Sequence, residues 1–319
     1  MLGSFFQLEL PLSDTFPYPE SGNCAWLSSG RAALACLLEN LPTRPRRVLM
    51  PRFCCSTAEQ PLNAAGLPIC HYDCTLQLQP LLPSDTTADD LLILVNYFGL
   101  TPQPVEAAAA QHPGPVIVDC TTALYSAPPA GCAAFYSPRK FSGLPDGGVA
   151  LAPFPLEKLP AEQDTSAERA LFLLQRLESG AHAALPASIR AEDELCAAPK
   201  RMSPLTRRLI RSIDYTAAAA RRLQNYHTLH QALAELNRLQ LPQLPVAAPM
   251  CYPLVSGIPD LRDSLIDAGI ALPLFWEELL TTCPAHSTAH QLTRTLLPLP
   301  LDQRYSIAEM RKIISLIRG

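Results

Sequence analysis

The stretch LLILVN at residues 91–96 is a continuous apolar run that ends in a polar side chain, and VIVD at residues 116–119 repeats the pattern with an acid. Between them lies an alanine-rich segment, residues 104–111, that favours a helix. Apolar runs joined by helices are typical of a parallel sheet that helices cover on both faces. Because ligands of such sheets collect at the carboxyl ends of the strands, Asn96 and Asp119 are candidate site residues.

The alternation of strands and helices extends outward from this centre over residues 24–155. The sequence predicts helices at residues 31–38 and 56–65, and strands at residues 48–50, 67–72, 133–136 and 148–151. Further along it predicts helices at residues 162–178, 204–237, 259–268 and 306–318, and strands at residues 251–256 and 293–299. We therefore expect an α/β protein with a large lobe of mixed or parallel sheet, residues 15–235, and a small α+β C-terminal lobe, residues 236–319.

The composition restricts the classes of function. The chain has 319 residues, of which 17% are charged, and a net charge of −4, so we expect a large core and some surface buried in a partner subunit. The longest basic run, Arg44-Pro45-Arg46-Arg47, is too short to predict nucleic-acid binding. No apolar run approaches the roughly 20 residues of a membrane span, and residues 1–14 lack the features of a signal peptide, which predicts a soluble, cytoplasmic protein.

The expected cytoplasmic location is a reducing compartment, which predicts reduced cysteines. Eleven cysteines in such a compartment should be free thiols, most of them packed as small apolar side chains. Cys70, His71 and Cys74 lie close together, but no second pair of ligands follows with the spacing of a zinc site. We therefore expect no metal site.

Two features suit a charged ligand. Ser29-Gly30-Arg31 precedes the first predicted helix, whose free N–H groups and dipole favour an anion such as a phosphate. The alternative for this segment is an ordinary helix cap. Asp119 ends an apolar strand, where a buried carboxylate needs a partner. A protonated pyridine nitrogen is one such partner, and a structural arginine or a capping role is the alternative.

Two turns add a nucleophile and a polar corner. Lys140 ends Ser137-Pro138-Arg139-Lys140, a turn between two predicted strands, and Pro145-Asp146-Gly147-Gly148 follows. An amine forms a Schiff base only when it is deprotonated, which burial and the adjacent charge of Arg139 promote. The alternative is an ordinary solvent-exposed lysine. Asn96-Tyr97-Phe98-Gly99 is a polar and aromatic corner at a strand end, for which simple turn packing is the alternative.

The order and spacing of these segments resemble those of the sugar aminotransferases of the DegT/DnrJ/EryC1/StrS group, which depend on pyridoxal 5′-phosphate (PLP). The matching segments are Ser29-Gly30-Arg31-Ala32-Ala33, Pro51-Arg52-Phe53-Cys54-Cys55, Asn96-Tyr97-Phe98-Gly99, Val118-Asp119-Cys120-Thr121-Thr122-Ala123, Ser137-Pro138-Arg139-Lys140 and Pro145-Asp146-Gly147-Gly148. The match covers about residues 24–152, and the tail from Leu299 onward is also similar. The resemblance implies PLP-dependent transferase fold type I, the fold of aspartate aminotransferase.

The resemblance also implies a role for each matching residue. Lys140 would hold PLP as a Schiff base and act as the general acid and base, and Asp119 would keep the pyridine nitrogen protonated. The implied cofactor-binding residues are Ser29, Gly30, Arg31, Cys55, Asn96, Asp119, Thr122, Ser137 and Lys140, with Gly30, Arg31 and Ser137 at the phosphate and Thr122 near the ring hydroxyl. The implied reaction moves an amino group from an amino acid, which we expect to be glutamate, to a keto-sugar or related carbonyl acceptor. The implied active form is a homodimer.

Two matching positions depart from the pattern of the group. Cys55 stands where the group usually has an aromatic side chain over the cofactor ring, and Thr122 stands where it usually has His or Gln. Two alternatives therefore stay open: another PLP-dependent reaction, such as that of a lyase or eliminase, and a non-catalytic binding or regulatory protein. In the long predicted helix, Arg222, Asn225 and Tyr226 are either groups for a partner subunit's site or ordinary packing residues.

Overall fold

The computed structural model describes residues 6–195 and 198–319. The strands are β1 (Cys24–Leu27), β2 (Arg47–Pro51), β3 (Ile69–Cys74), β4 (Pro80–Leu81), β5 (Asp90–Val95), β6 (Val116–Asp119), β7 (Ala133–Tyr136), β8 (Gly148–Leu151), β9 (Tyr252–Leu254) and β10 (Leu297–Leu299). The α-helices are α1 (Gly30–Asn40), α2 (Glu59–Ala64), α3 (Pro102–Gln111), α4 (Leu171–Asp193), α5 (Pro204–Ile210), α6 (Tyr215–Leu233), α7 (Leu261–Asp267), α8 (Leu279–Thr282), α9 (Thr288–Thr295) and α10 (Ile307–Arg318).

An eight-stranded mixed sheet lies at the centre, in the order β1-β8-β7-β6-β5-β2-β3-β4. The five strands β3, β2, β5, β6 and β7 are parallel to one another, whereas β8, β1 and β4 each pair antiparallel with a neighbour. The direction of strand addition reverses between β2 and β5, because β3 lies on one side of β2 and β5 to β7 lie on the other. Such a reversal opens a crevice at the carboxyl ends of the strands, where ligands bind in open α/β sheets.

The central strands alternate between two apolar cores, one on each face of the sheet. In β5, Leu91 and Ile93 belong to the core that includes Leu34 of α1. Leu92 of the same strand belongs to the other core, which includes Val105 of α3. All six residues of β5 and all four of β6 are buried. Apart from Asp90 at the start of β5 and Asp119 at the end of β6, both strands are apolar throughout, because helices and loops cover both faces of the sheet.

The C-terminal elements extend the first of these cores. Strands β9 and β10 form a separate two-stranded antiparallel sheet, and Leu254 and Leu299 place it in the same core as α1. Helix α6 packs against α10, with Leu229 and Ile313 in that core as well. The apolar core therefore continues from the central sheet to the last helix, and a division into lobes at residue 235 stays a prediction.

The helix predicted over residues 204–237 is two helices. Helix α5 ends at Ile210 and α6 begins at Tyr215. The Asp214 side chain caps α6 by accepting a hydrogen bond from the Ala217 N–H at 2.8 Å. The sequence carried this signal, because an aspartate is a favoured residue for the N-cap position.

Two other predicted elements differ from the structure. Helix α4 begins and ends later than the predicted residues 162–178, and it contains Gly180 at φ 84° and Pro186. Both residue types disfavour a helix interior, which is why the sequence did not predict its second half. The strand predicted at residues 293–299 is only β10, because the preceding residues belong to α9, which Ser287 caps.

Residues Arg222, Asn225 and Tyr226 of α6 are buried inside their own chain, with exposed fractions of 2%, 0% and 0%. The Tyr226 hydroxyl donates to the Pro242 carbonyl at 2.6 Å, and the Asn225 amide donates to the Leu301 carbonyl at 3.0 Å. Of the two interpretations of these residues, packing is the one that this geometry favours. Across the described ranges, none of the helices has both the length and the apolar character needed to cross a bilayer.

Candidate active site

Asp119 ends β6 at the carboxyl edge of the sheet and is 6% exposed. Its Oδ1 accepts a hydrogen bond from the Thr121 N–H at 2.8 Å. Burial raises the pKa of the Asp119 carboxyl, and the positive charge of Lys140 partly opposes that effect. Among the described residues no arginine or lysine makes an ion pair with Asp119, so the carboxylate has the capacity to bind a cationic or N–H group of a ligand.

Lys140 ends the short 3₁₀ turn Pro138–Lys140, which connects toward β8 after β7. The lysine side chain is exposed, and its Nζ donates to the Thr121 hydroxyl at 3.2 Å. Thr121 therefore contacts both chemical groups: its N–H binds the Asp119 carboxylate and its hydroxyl binds the lysine amine. The cation and the buried acid therefore contact the same residue.

The start of α1 lies against the same place. The Ser29 hydroxyl caps α1 by accepting from the Ala32 N–H at 3.1 Å. A Cβ atom at Gly30 would lie 3.3 Å from the Thr121 methyl carbon, closer than is usual for such contacts, so only glycine fits here without displacing Thr121. A Cβ at Gly148 would lie 2.0 Å from the Ser29 carbonyl oxygen. Glycine at these two positions is what lets α1, β8 and the Thr121 segment converge.

A cavity lies among these elements and brings seven of the nine predicted residues together. Its lining contains the predicted residues Ser29, Gly30, Arg31, Cys55, Asp119, Ser137 and Lys140. It also contains Arg139, which the sequence analysis named beside Lys140, and six residues that the sequence did not single out: Leu34, Thr57, Ala58, Thr121, Phe135 and Glu192. The Cys55 thiol, after β2, lies 3.0 Å from the Thr57 hydroxyl.

Asn96 and Thr122 do not line this cavity, although the resemblance implies contact with the cofactor. Each is 2% exposed and they hold the turn after β5. The Asn96 side chain accepts from the Thr101 N–H at 3.2 Å, and the Thr122 hydroxyl donates to the Asn96 carbonyl at 3.3 Å and accepts from the Phe98 N–H at 3.2 Å. Turn packing is therefore the role that the structure gives both residues. Of the two consecutive threonines, Thr121 is the one at the site.

Two arginines at the cavity bind the last turn of α4 and the residues that follow it. Arg139 forms a two-point ion pair with Glu192, with contacts of 2.5 and 2.6 Å. Arg31 donates to the Leu195 carbonyl at 2.6 Å and to the Gln60 side chain at 2.8 Å. Burial acts against ionisation of Glu192, but the hydrogen bond and charge of Arg139 outweigh it and lower the pKa of the Glu192 carboxyl. The protein's own Glu192 carboxylate thus lies among the cations of the cavity.

No known protein-family profile matches the chain, and no curated protein is detectably similar in sequence. Solved structures are similar to it. DesV from S. venezuelae, in complex with a ketimine intermediate, is 17% identical, with 92% of this chain and 84% of that chain covered and a TM-score of 0.63. A DegT DnrJ EryC1 StrS aminotransferase from Brucella abortus is 18% identical, with 93% and 85% covered and a TM-score of 0.62. The E. coli GDP-4-keto-6-deoxy-D-mannose-3-dehydratase with bound hydrated PLP is 12% identical, with 95% and 89% covered and a TM-score of 0.59.

These similarities define the class of fold. The chain has the α/β fold type I of PLP-dependent transferases, which confirms the predicted fold. Within that fold it is similar to the DegT/DnrJ/EryC1/StrS sugar aminotransferases over 93% of its length, so the resemblance seen in the sequence holds at the level of structure.

Proposed function

We propose that the chain is a PLP-dependent aminotransferase that moves an amino group from an amino acid to a keto-sugar or related carbonyl acceptor. One observation carries the proposal. The Lys140 amine and the buried Asp119 carboxylate are both bound to Thr121, in a cavity at the N-terminus of α1. An amine, an acid without an ion-pair partner and a helix N-terminus are the three groups that PLP needs from a protein.

The residues present fit the cofactor. Asp119 is buried without a cationic partner in the described chain, which is the state that a protonated ring nitrogen would relieve. Gly30 leaves the first turn of α1 open at Thr121, where a larger residue would intrude. Ser137 is 3% exposed and lines the same cavity, so its hydroxyl is available to a phosphate beside the N–H groups of α1. Lys140 and Thr121 are the remaining residues that would contact the cofactor.

In this proposal, PLP supplies an electron sink for the negative charge that remains when the substrate loses its Cα proton. Lys140 would hold the cofactor, and its Nζ, when released from the cofactor, would be the base that takes that proton. Thr121 orients the amine through its hydroxyl, which Lys140 contacts at 3.2 Å. Asp119 keeps the ring nitrogen protonated, and the contact with the Thr121 N–H fixes the direction of the carboxylate.

The amino donor, the assembly and the location are also parts of the proposal. We assign glutamate as the donor and a homodimer as the active unit, since both follow from the resemblance. Exposed apolar side chains of α4, including Leu174 and Leu177, support an interface with a second subunit. A cytoplasmic location agrees with the free thiols of the described cysteines.

Another PLP-dependent reaction is the second candidate. The similar E. coli protein is a dehydratase, so the likeness in fold does not select amino transfer. Cys55 is the observation that favours this candidate, because it lines the cavity where the sugar aminotransferases usually have an aromatic side chain.

The visible absorption spectrum of the purified protein with added PLP tests the proposal. We expect a visible band that borohydride fixes covalently to the peptide containing Lys140, and that glutamate bleaches. Lys140→Ala should show no such band, whereas the exposed Lys158→Ala serves as the matched control and should behave like wild type. A band that no amino acid bleaches would favour another PLP reaction. Identical featureless spectra for wild type and Lys140→Ala would refute the enzyme and favour a non-catalytic protein.

A further inference from the structure

The last turn of α4 and the residues after it hold both arginines of the cofactor cavity. The Glu192 carboxylate accepts from Arg139 with contacts of 2.5 and 2.6 Å, and the buried Leu195 offers its carbonyl oxygen to Arg31 at 2.6 Å. These two guanidinium groups line the cavity at the N-terminus of α1, where the phosphate is expected. The chain's own acceptors therefore occupy the cations that an incoming anion would use.

The cofactor cavity is small in this arrangement. Its volume is about 90 Å³, whereas pockets for small organic molecules hold about 300–1,000 Å³. Glu192 is one of its walls, and 55% of that side chain is exposed, so it stands at the boundary between the cavity and the solvent. We therefore expect the end of α4 to move outward when a ligand of the size of PLP enters.

Helix α4 has a hinge and few contacts that hold it in place. Gly180, at φ 84°, interrupts the helix, and a Cβ atom there would meet no neighbouring element within 4 Å. After Gly180 only Ala184, Ala187 and Ala191 of α4 are buried, and alanine side chains bury little apolar surface. Apart from the short 3₁₀ turn that precedes it, α4 packs broadly against no strand or helix of the described chain. The two arginine contacts are therefore a large part of what holds its second half.

We propose that residues 181–195 form an autoinhibitory latch, which the ion pair between Glu192 and Arg139 holds closed over the cofactor cavity. When an anion enters, Arg139 releases the Glu192 carboxylate and binds the anion instead, while the latch turns outward about Gly180. The ion pair is exchangeable because the carboxylate is half-exposed, and such pairs are weak and sensitive to salt. Where the anion is the phosphate group of PLP, the inference rests on the proposed function, but the latch itself requires only an anion.

Hydrogen–deuterium exchange of the whole protein tests the latch without PLP, in inorganic phosphate and in chloride at the same ionic strength. The amide hydrogens of Glu194 and Leu195 bond to the carbonyls of Arg190 and Glu192. They should exchange about threefold faster in phosphate, because the last turn frays once its two anchors are released. Glu192→Gln should show the faster exchange already in chloride. Glu178→Gln, which changes an exposed acid in the first half of α4, is the matched control and should behave like wild type.

Gly180→Ala distinguishes the latch from a purely electrostatic effect, since it changes no charge. A side chain at φ 84° is strained, so the substitution should favour the open arrangement. We expect faster exchange in chloride and a Kd for PLP that is about threefold lower, as for Glu192→Gln. Gly269→Ala is the matched control, because that glycine has φ 85° and equally free space outside α4. It should change neither quantity.

The outcomes separate the latch from the proposed function. The latch is overturned if phosphate leaves the exchange at Glu194 and Leu195 unchanged, or if Gly180→Ala exchanges like Gly269→Ala. If Gly180→Ala does not fold, the comparison of Glu192→Gln with Glu178→Gln decides in the same way. Faster exchange in phosphate by a protein that forms no PLP band would refute the proposed function and leave the latch standing. A PLP band without any change in exchange would do the reverse.

Discussion

Asp90 and Asp119 are buried aspartates on neighbouring parallel strands, at opposite ends of the sheet. Asp90 begins β5 and is 0% exposed, and it is bound by Arg46 and Arg47 at 3.0 Å each and by the Thr87 N–H at 2.9 Å. Although burial opposes ionisation, these partners together lower the pKa of Asp90. Asp119 is 6% exposed, and burial raises its pKa, because the charge of Lys140, whose amine contacts Thr121 rather than the carboxylate, opposes that effect only in part.

The difference shows how the two ends of one sheet serve different purposes. At the amino end the chain supplies every partner that a buried carboxylate needs, so Asp90 contributes to folding. At the carboxyl end no described cation forms an ion pair with Asp119. A carboxyl group with a raised pKa in a cavity is typical of a functional site. Four substitutions can break or sharpen this contrast.

Asp90→Ala should have the largest effect, and it should act on stability. The change removes the ion pairs with Arg46 and Arg47 and the bond to Thr87. We expect a loss of about 2 kcal/mol in the free energy of unfolding, measured by urea denaturation, since the half-buried Arg47 loses its buried carboxylate while the exposed Arg46 is solvated. Asp89→Ala, the exposed neighbour, is the control and should change it little. An equal loss in the free energy of unfolding in both variants would show that the ion pairs of Asp90 do not stabilise the fold.

Asp119→Asn should act on chemistry rather than on stability. The amide retains an acceptor for the Thr121 N–H but cannot keep a ring nitrogen protonated. We expect the rate at which glutamate bleaches the PLP band to fall about a hundredfold, with no loss in the free energy of unfolding, because a costly buried charge is removed. If the variant unfolds as readily as Asp90→Ala, the contrast between the two aspartates is wrong.

Asp146 is an intermediate case, fully buried and bound only by neutral donors. It accepts hydrogen bonds from the Ser203 N–H, the Ser203 hydroxyl and the Thr206 hydroxyl. Burial raises the pKa of Asp146 from 3.8 to about 6, with Asp164 adding to the effect and Arg169 opposing it. Because the folded state favours the protonated acid, the stability that Asp146 contributes is complete below pH 4 and is lost as the pH rises through about 6.

The variant Asp146→Asn should remove this pH dependence. Lowering the pH from 7 to 5 should stabilise wild type relative to the variant by about 1–2 kcal/mol, measured by urea denaturation at each pH. Because Asp90 has a lowered pKa, its own contribution is retained over that interval. Parallel pH profiles for wild type and variant would mean that Asp146 is ionised throughout.

The sequence predicted what depends on local signals. Strand β6 and the acid at its end, the turn with Lys140, and the capped start of α1 each lie within a few consecutive residues, so pattern and residue type were sufficient. Local pattern could not decide whether Thr121 or Thr122 faces the site, because the chain turns directly after β6. It also could not predict Glu192, which lies 53 positions from Arg139 and meets it only through the course of α4.

Glu192→Gln tests that unpredicted residue and should have the smallest effect. The Glu192 carboxylate neutralises Arg139 beside the predicted phosphate position, so removing its charge should strengthen the attraction for an anion. We expect the Kd for PLP, from titration of the visible band, to fall about threefold, and the gain to shrink at high salt. Glu194→Gln, which changes an exposed acid two residues further along the chain, is the control. Weaker PLP binding by Glu192→Gln would show instead that the ion pair positions Arg139. Glu192 would then have a structural role at the carboxyl edge, as Asp90 has at the amino end.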